Sequence, residues 1–252
     1  MLIFDQVSVR LGGKDILKEV SFALRPHRLT VLVGRNGSGK STLFGCVNQQ
    51  IPYTGQILEG EKNLVLLPPK ERAKMVAILP QKLPAPHIIG RELVAFGRSP
   101  YLDFTGRLTQ RDRSAVEEAL KLADAQALAD RFADTLSGGE FQRLALSMIL
   151  AQNTPIALLD EPTAHMDLGY EGSFLETLNR LKTEKKKTLL LVLHDLSQAV
   201  RYADDLVVLD DGRVVFCGTK EDCLAGNVLE TTFGLHRYTA KDENEERIFF
   251  AP

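Results

Sequence analysis

Apolar and polar residues alternate over residues 2–24, around Gly12-Gly13, which predicts antiparallel strands packed as a small side sheet. Continuous apolar runs at 29–33, 156–159 and 189–193 break that alternation and read as strands buried in a core sheet. Residues 54–67 form a second β-rich stretch ending at Pro68-Pro69, and 75–79 predicts a core strand that delivers Gln81 to a loop. Pro80, Pro84 and Pro86 forbid regular structure and mark a boundary, after which a helical lobe is expected. Thr109-Gln110-Arg111-Asp112 looks like a capped helix start, and residues 115–128 carry helical apolar spacing in a stretch rich in Ala, Leu, Glu and Lys. A further helical stretch ends at about Gln152, and helices are expected near 170–182 and 197–202. Asp211-Gly212 within the apolar stretch 206–216 signals a hairpin. From Tyr238 onward a polar tail is expected; the alternative is that Ile248-Phe249-Phe250 docks on the body or pairs as a short strand.

With 252 residues, 44% hydrophobic and 25% charged, the chain suits one large α/β domain or one domain with a lobe. Its formal net charge of −2 supplies no basic field for nucleic acid, and Lys185-Lys186-Lys187 reads as a solvated connector. No apolar stretch approaches the ~18–20 residues that span a bilayer. Met1-Leu2-Ile3-Phe4-Asp5 lacks the basic and apolar regions of a signal peptide, so secretion is not expected. Cys46, Cys217 and Cys223 are odd in number and lack C-x-x-C spacing, which argues against a disulfide framework or a zinc site and fits a reducing compartment.

Chemistry concentrates where the apolar runs end. Gly34-Arg35-Asn36-Gly37-Ser38-Gly39-Lys40-Ser41 is a complete G-x-x-x-x-G-K-[ST] loop placed after a strand and before a helix. Its glycines allow successive N–H groups to face an anion, Lys40 adds a cation for the β- and γ-phosphates, and the Ser41 hydroxyl can ligate magnesium. The opening helix points its positive end at the same phosphates. The run 156–159 leads into the adjacent carboxylates Asp160 and Glu161 at the carboxyl end of a strand, where α/β sheets bind ligands. One acid suits magnesium held through water and the other suits activation of a water. Ser137, Gly138 and Gly139 precede a helix and form either an ordinary N-cap or a second anion-binding helix start. His194 ends another apolar strand, a position where a lone histidine is ordinarily structural or solvated.

Together and in this order these segments resemble the ATP-binding-cassette (ABC) ATPases over nearly all of residues 1–220. The resemblance implies an α/β fold: a P-loop NTPase core with a mostly parallel sheet, an antiparallel β subdomain and an α-helical signature lobe. Residues 1–84 and 153–237 would form the core, 85–152 the lobe and 238–252 a C-terminal tail. By resemblance Gly34 to Ser41, with Thr42 after them, are the Walker A loop, and 156–161 the Walker B strand. Ser137-Gly138-Gly139 lie in the signature, Gln81 is the Q-loop glutamine, His194 the switch histidine and Asp167 the D-loop aspartate. ATP and Mg2+ are then the implied ligands, with Ser41, Gln81 and Asp160 serving the metal. Glu161 would act as general base or water-positioning group, and His194 would hydrogen-bond the γ-phosphate. Ser137 and Gly139 would complete the site of a second copy in a head-to-tail homodimer.

One departure from the family pattern is Leu11, which stands where an adenine-stacking aromatic is expected. Phe96-Gly97-Arg98-Ser99-Pro100-Tyr101-Leu102, with Ala151-Gln152 before Walker B, resembles the cassettes of ferric-siderophore, haem and cobalamin importers. That subgroup implies a polytopic membrane permease, an indirect periplasmic or lipoprotein substrate-binding protein, and a peripheral location on the cytoplasmic face of the membrane. Leu83, Phe96 and Tyr101 are expected to contact or shape the groove that receives a permease helix. The alternative from another class is a soluble ABC ATPase such as an iron–sulfur assembly scaffold.

Overall fold

The computed structural model describes residues 1–164, 166, 168–241 and 246–252. In chain order it contains β1 (Leu2–Leu11), β2 (Lys14–Leu24), β3 (Leu29–Gly34), α1 (Lys40–Val47), β4 (Thr54–Glu59), β5 (Lys62–Asn63), α2 (Pro69–Met75), β6 (Val76–Leu79), α3 (Gly90–Ala95) and α4 (Gln110–Leu122). There follow α5 (Gly138–Gln152), β7 (Ile156–Asp160), α6 (Leu168–Glu184), β8 (Thr188–Val192), α7 (Leu196–Tyr202), β9 (Asp205–Asp210), β10 (Arg213–Thr219), α8 (Lys220–Ala225), α9 (Val228–Phe233), β11 (His236–Lys241) and β12 (Glu246–Ala251). Two compact units result: Met1–Leu66 with Thr188–Pro252, and Leu67–Lys187.

In the first unit, β1, β2, β4 and β5 form the expected antiparallel side sheet, in the order β2-β1-β4-β5. The β1–β2 register slips twice between Phe4 and Val9. Gln6 and Glu19 sit at φ 50° and 54° in this region. Their amides are satisfied by side chains of the opposite strand: Gln6 N donates to Ser21 Oγ and Glu19 N to Ser8 Oγ, each at 2.8 Å. The irregular ladder therefore leaves neither donor orphaned. On the buried face Phe4 stacks on Phe22 with centroids 4.5 Å apart. The other sheet portion of this unit is the core portion: β3 runs parallel to both β8 and β9, and β10 returns antiparallel to β9. Every residue of β3 and β8 is buried, which is why these stretches read as unbroken apolar runs.

The second unit places β6 parallel to β7, again wholly buried in β7, beside the helices of the lobe. Both capped starts seen in the sequence are capping boxes, Thr109 with Asp112 on α4 and Ser137 with Glu140 on α5. Gly97, in the 3₁₀ turn Phe96–Tyr101, lies so close to α5 that a Cβ there would stand 2.1 Å from Met148 O. Behind it Arg98 and Asp112 form a buried ion pair.

Some stretches differ from expectation. Residues 64–66 close into a 3₁₀ turn instead of extending the β-rich segment. Pro69 starts α2: the fixed φ of a proline suits the first helical turn, and the N–H it lacks would be unpaired there anyway. The helix expected over 115–128 stops at Leu122, and Asp124 turns the chain at φ 51° before a separate 3₁₀ turn at Gln126–Leu128. The expected polar tail is instead largely paired: β11 and β12 form an antiparallel ladder with Tyr238 opposite Phe249, and β12 packs on α7. The apolar triplet Ile248-Phe249-Phe250 outweighs the charges before it, which is the alternative the sequence left open. Among the described residues no helix is long and apolar enough to cross a membrane.

Candidate nucleotide-binding site

In the first unit β3 ends at Gly34 and the chain loops through Arg35, Asn36 and Gly37, all exposed, into α1. Gly39 is the N-cap at φ 105°, a conformation that side-chain-bearing residues rarely adopt, and a Cβ there would lie 2.5 Å from Leu17 Cδ2. Lys40 is buried and folds back over the loop, donating from Nζ to Gly34 O at 2.8 Å and to Arg35 O at 3.1 Å. Ser38 N closes the turn on Arg35 O at 3.1 Å. The Ser38 hydroxyl is buried without a hydrogen-bond partner among the described residues. A buried polar atom of this kind costs about 1–3 kcal/mol unless something satisfies it, and a phosphate oxygen does so. No acid in the first turn of α1 opposes an anion there. Ser41 is exposed and Thr42 half-buried at the same helix start.

Two further residues belong to this unit. His194 is exposed just beyond β8, and the following Asp195 caps α7, its carboxylate accepting from Ser197 N at 2.7 Å and Gln198 N at 3.1 Å. Leu11 ends β1 opposite Lys14 and is 41% exposed, so it presents apolar surface but no aromatic face.

The second unit carries the acids. Asp160 is the buried last residue of β7, and Glu161 follows at φ 49°, a conformation costing a non-glycine residue of order 1 kcal/mol. Gln81, exposed in the loop after β6, donates its amide Nε2 to Glu161 Oε2. That contact orients the glutamine so that its carbonyl oxygen is the atom left to ligate a cation. In this unit Gln81 and Asp160 offer amide and carboxylate oxygens, and in the first unit Ser41 offers a hydroxyl, all donor types that magnesium accepts. Asp167 lies outside the described residues.

Ser137 and Gly138 are exposed at the start of α5, with Gly139 half-buried behind them. Ser137 N donates to Glu140 Oε2 at 2.9 Å, Ser137 Oγ to the same oxygen at 3.0 Å, and Arg131 Nη1 to Glu140 Oε1 at 2.5 Å. The Ser137 amide, then Arg131 and the Ser137 hydroxyl, hold the Glu140 carboxyl below its ordinary range. Glu140 therefore fixes the serine that the sequence singled out. The serine-x-x-glutamate spacing at 137–140 was the available signal for it. Burial pushes the Cys46 thiol up to about 12 and the Cys223 thiol to about 11, so neither ionises at neutral pH.

The ABC transporter family model matches residues 17–164. The chain is 36% identical over 240 residues to the probable siderophore transport system ATP-binding protein YusV of Bacillus subtilis, covering 94% of this chain and 87% of that one. It is 39% identical over 236 residues to the hemin import ATP-binding protein HmuV of Rhodococcus jostii, covering 91% and 78%. Its fold matches a solved inward-facing metal-chelate-type ABC transporter with a TM-score of 0.86 at 22% identity, over 100% of this chain and 96% of that one. On these similarities the chain belongs to the ABC transporter family, as one of its ATP-hydrolysing subunits.

Proposed function

We propose that this subunit energises uptake of a metal-chelate-type solute, a ferric siderophore, haem or cobalamin, through a polytopic membrane permease. It would sit peripherally on the cytoplasmic face, and a periplasmic or lipoprotein binding protein would deliver the solute. Similarity to siderophore and hemin import subunits supports this cargo class over an iron–sulfur assembly scaffold. In the cassette, Lys40 and the amides of residues 34–42 hold the β- and γ-phosphates, and Ser38 donates its otherwise unpaired hydroxyl. Ser41, Gln81 and Asp160 would hold Mg2+, which would neutralise charge on the phosphate oxygens. Glu161 takes a proton from, or aligns, the attacking water, and Gln81 keeps its carboxylate in register. His194 donates to the γ-phosphate. Ser137, Gly138 and Gly139 of a second copy, exposed or half-buried at a helix start, cover the same nucleotide in a head-to-tail homodimer. Phe96 is 57% exposed, and Tyr101 lies under the Arg98 guanidinium, 3.9 Å from its ring centroid. With Leu83 they offer the permease an apolar surface.

The observation that carries the catalytic reading is the Gln81–Glu161 hydrogen bond at the end of the Walker B strand. Glu161→Gln is expected to keep ATP binding, to cut turnover by about 10²–10⁴-fold, and to accumulate an ATP-bound dimer on sedimentation with magnesium. Near-normal turnover would remove Glu161 from the role of base. Stimulation of hydrolysis by a binding protein loaded with ferric siderophore, haem or cobalamin, in the reconstituted permease complex, tests the cargo class; a response to none of the three refutes it.

A further inference from the structure

The family model stops at residue 164, and α8, α9 and the β11–β12 hairpin lie beyond it. This C-terminal segment meets the nucleotide-facing parts of its own unit in two places. At the first, Arg35 uses its two ends differently. Its carbonyl accepts from Lys40 Nζ at 3.1 Å and from Ser38 N at 3.1 Å, inside the phosphate loop. Its guanidinium reaches away from the loop and donates from Nη2 to Thr232 O, in the last turn of α9. The final carbonyls of a helix lack intrahelical donors and carry its negative end, so a guanidinium is well matched there. At the second place, β12 packs against α7, whose N-cap Asp195 directly follows His194.

Within the segment Arg237 ties three elements together. Arg237, in β11, pairs with Glu230 of α9 at 3.1 Å, donates to Leu224 O of α8 at 2.8 Å and reaches Asn227 Oδ1 at 3.2 Å. Arg237 therefore ties β11 to α8 and α9, and α9 in turn accepts from Arg35 at Thr232 O.

We infer that the C-terminal segment is a brace for the ATP site, with Arg35 as a positioning residue that holds the Lys40 cradle through α9. The inference rests on the assignment of residues 34–41 to the phosphates. Without the Thr232 contact the Arg35 carbonyl keeps its bond from the Ser38 amide but loses the anchor of its own side chain, and the aim of Lys40 at that oxygen loosens. The brace acts on how the cradle receives ATP, so the loss is read in KM more than in kcat.

Arg35→Ala is expected to raise KM for ATP about three- to tenfold, with kcat changed less than twofold, as loss of one hydrogen bond allows. Arg35 lies in the phosphate loop, so its loss alone does not separate a brace from a direct contact with ATP. Arg237 lies outside that loop and is tied to α8 and α9, which makes Arg237→Gln the decisive second variant: it should raise KM in the same direction. The double variant should then fall short of the product of the single effects, because both act through α9. Amide exchange without nucleotide should quicken at residues 35–40 in each variant while β3 stays protected. Normal KM and unchanged exchange in Arg237→Gln would overturn the brace, as would single effects that multiply. Lys40→Ala separates the two levels. If it retains ATP binding, the phosphate assignment fails, while the nucleotide-free exchange still judges the brace.

Discussion

Replacing Arg98 by methionine tests whether the helical lobe is pinned by one buried ion pair. Arg98 and Asp112 have side chains only 6% and 7% exposed, and Arg98 Nε stands 2.9 Å from Asp112 Oδ1. Arg98 Nη1 also donates to Ala151 O at 2.7 Å, so the guanidinium joins the start of α4 to the end of α5. Breaking a buried pair by removing one partner costs about 3–5 kcal/mol, because the remaining charge is stranded. Here Asp112 Oδ2 keeps bonds from Thr109 N at 3.0 Å and Thr109 Oγ1 at 2.6 Å, which places the loss near the lower end, about 3 kcal/mol. For a chain of this size that is a fall in Tm of about 6–12 °C, read by circular dichroism. Arg98→Met/Asp112→Asn should be more stable than Arg98→Met, since it no longer buries an uncompensated carboxylate.

The pH dependence has a definite sign. Burial raises the Asp112 carboxyl, but the Thr109 bonds and Arg98 outweigh it and the net direction is down. A depressed carboxyl stabilises the fold above its unfolded value and loses that contribution as pH falls through the folded value. The wild type should therefore lose stability below the ordinary carboxylate range, and Arg98→Met should lose less over the same interval. A Tm for Arg98→Met within about 2 °C of wild type, or a double variant weaker than the single, would refute the reasoning.

Leu11→Tyr should tighten ATP relative to other nucleoside triphosphates by up to about 1–3 kcal/mol if residue 11 faces the base; an unchanged base preference in a fluorescent-nucleotide titration places it elsewhere. Gly97→Ala puts a Cβ 2.1 Å from Met148 O, a backbone atom that cannot step aside, and should cost about 1–3 kcal/mol in urea unfolding. Thiol labelling of the native protein should modify Cys217 well before Cys46 and Cys223, since Cys217 is exposed and the other two are buried; equal rates would contradict that burial.

Features whose chemistry is local were legible along the chain. The glycines, lysine and hydroxyl of residues 34–41 lie at set intervals along one stretch of backbone, so the loop between β3 and α1 was legible without a fold. The capped starts at Thr109 and Ser137 were readable for the same reason, as both partners lie within one helical turn. The wholly buried strands β3, β7 and β8 announced themselves as apolar runs. Contacts between residues remote in sequence came from packing instead. Gln81 meets Glu161, Arg98 meets Asp112 and Ala151, and Arg35 meets Thr232 because separate elements are brought together. Packing also settled the fate of the C-terminal residues, whose charge argued for a tail. A short strand is marginal in isolation, and β12 is held by its ladder with β11 and by α7, partners that no local pattern around Ile248 can reveal.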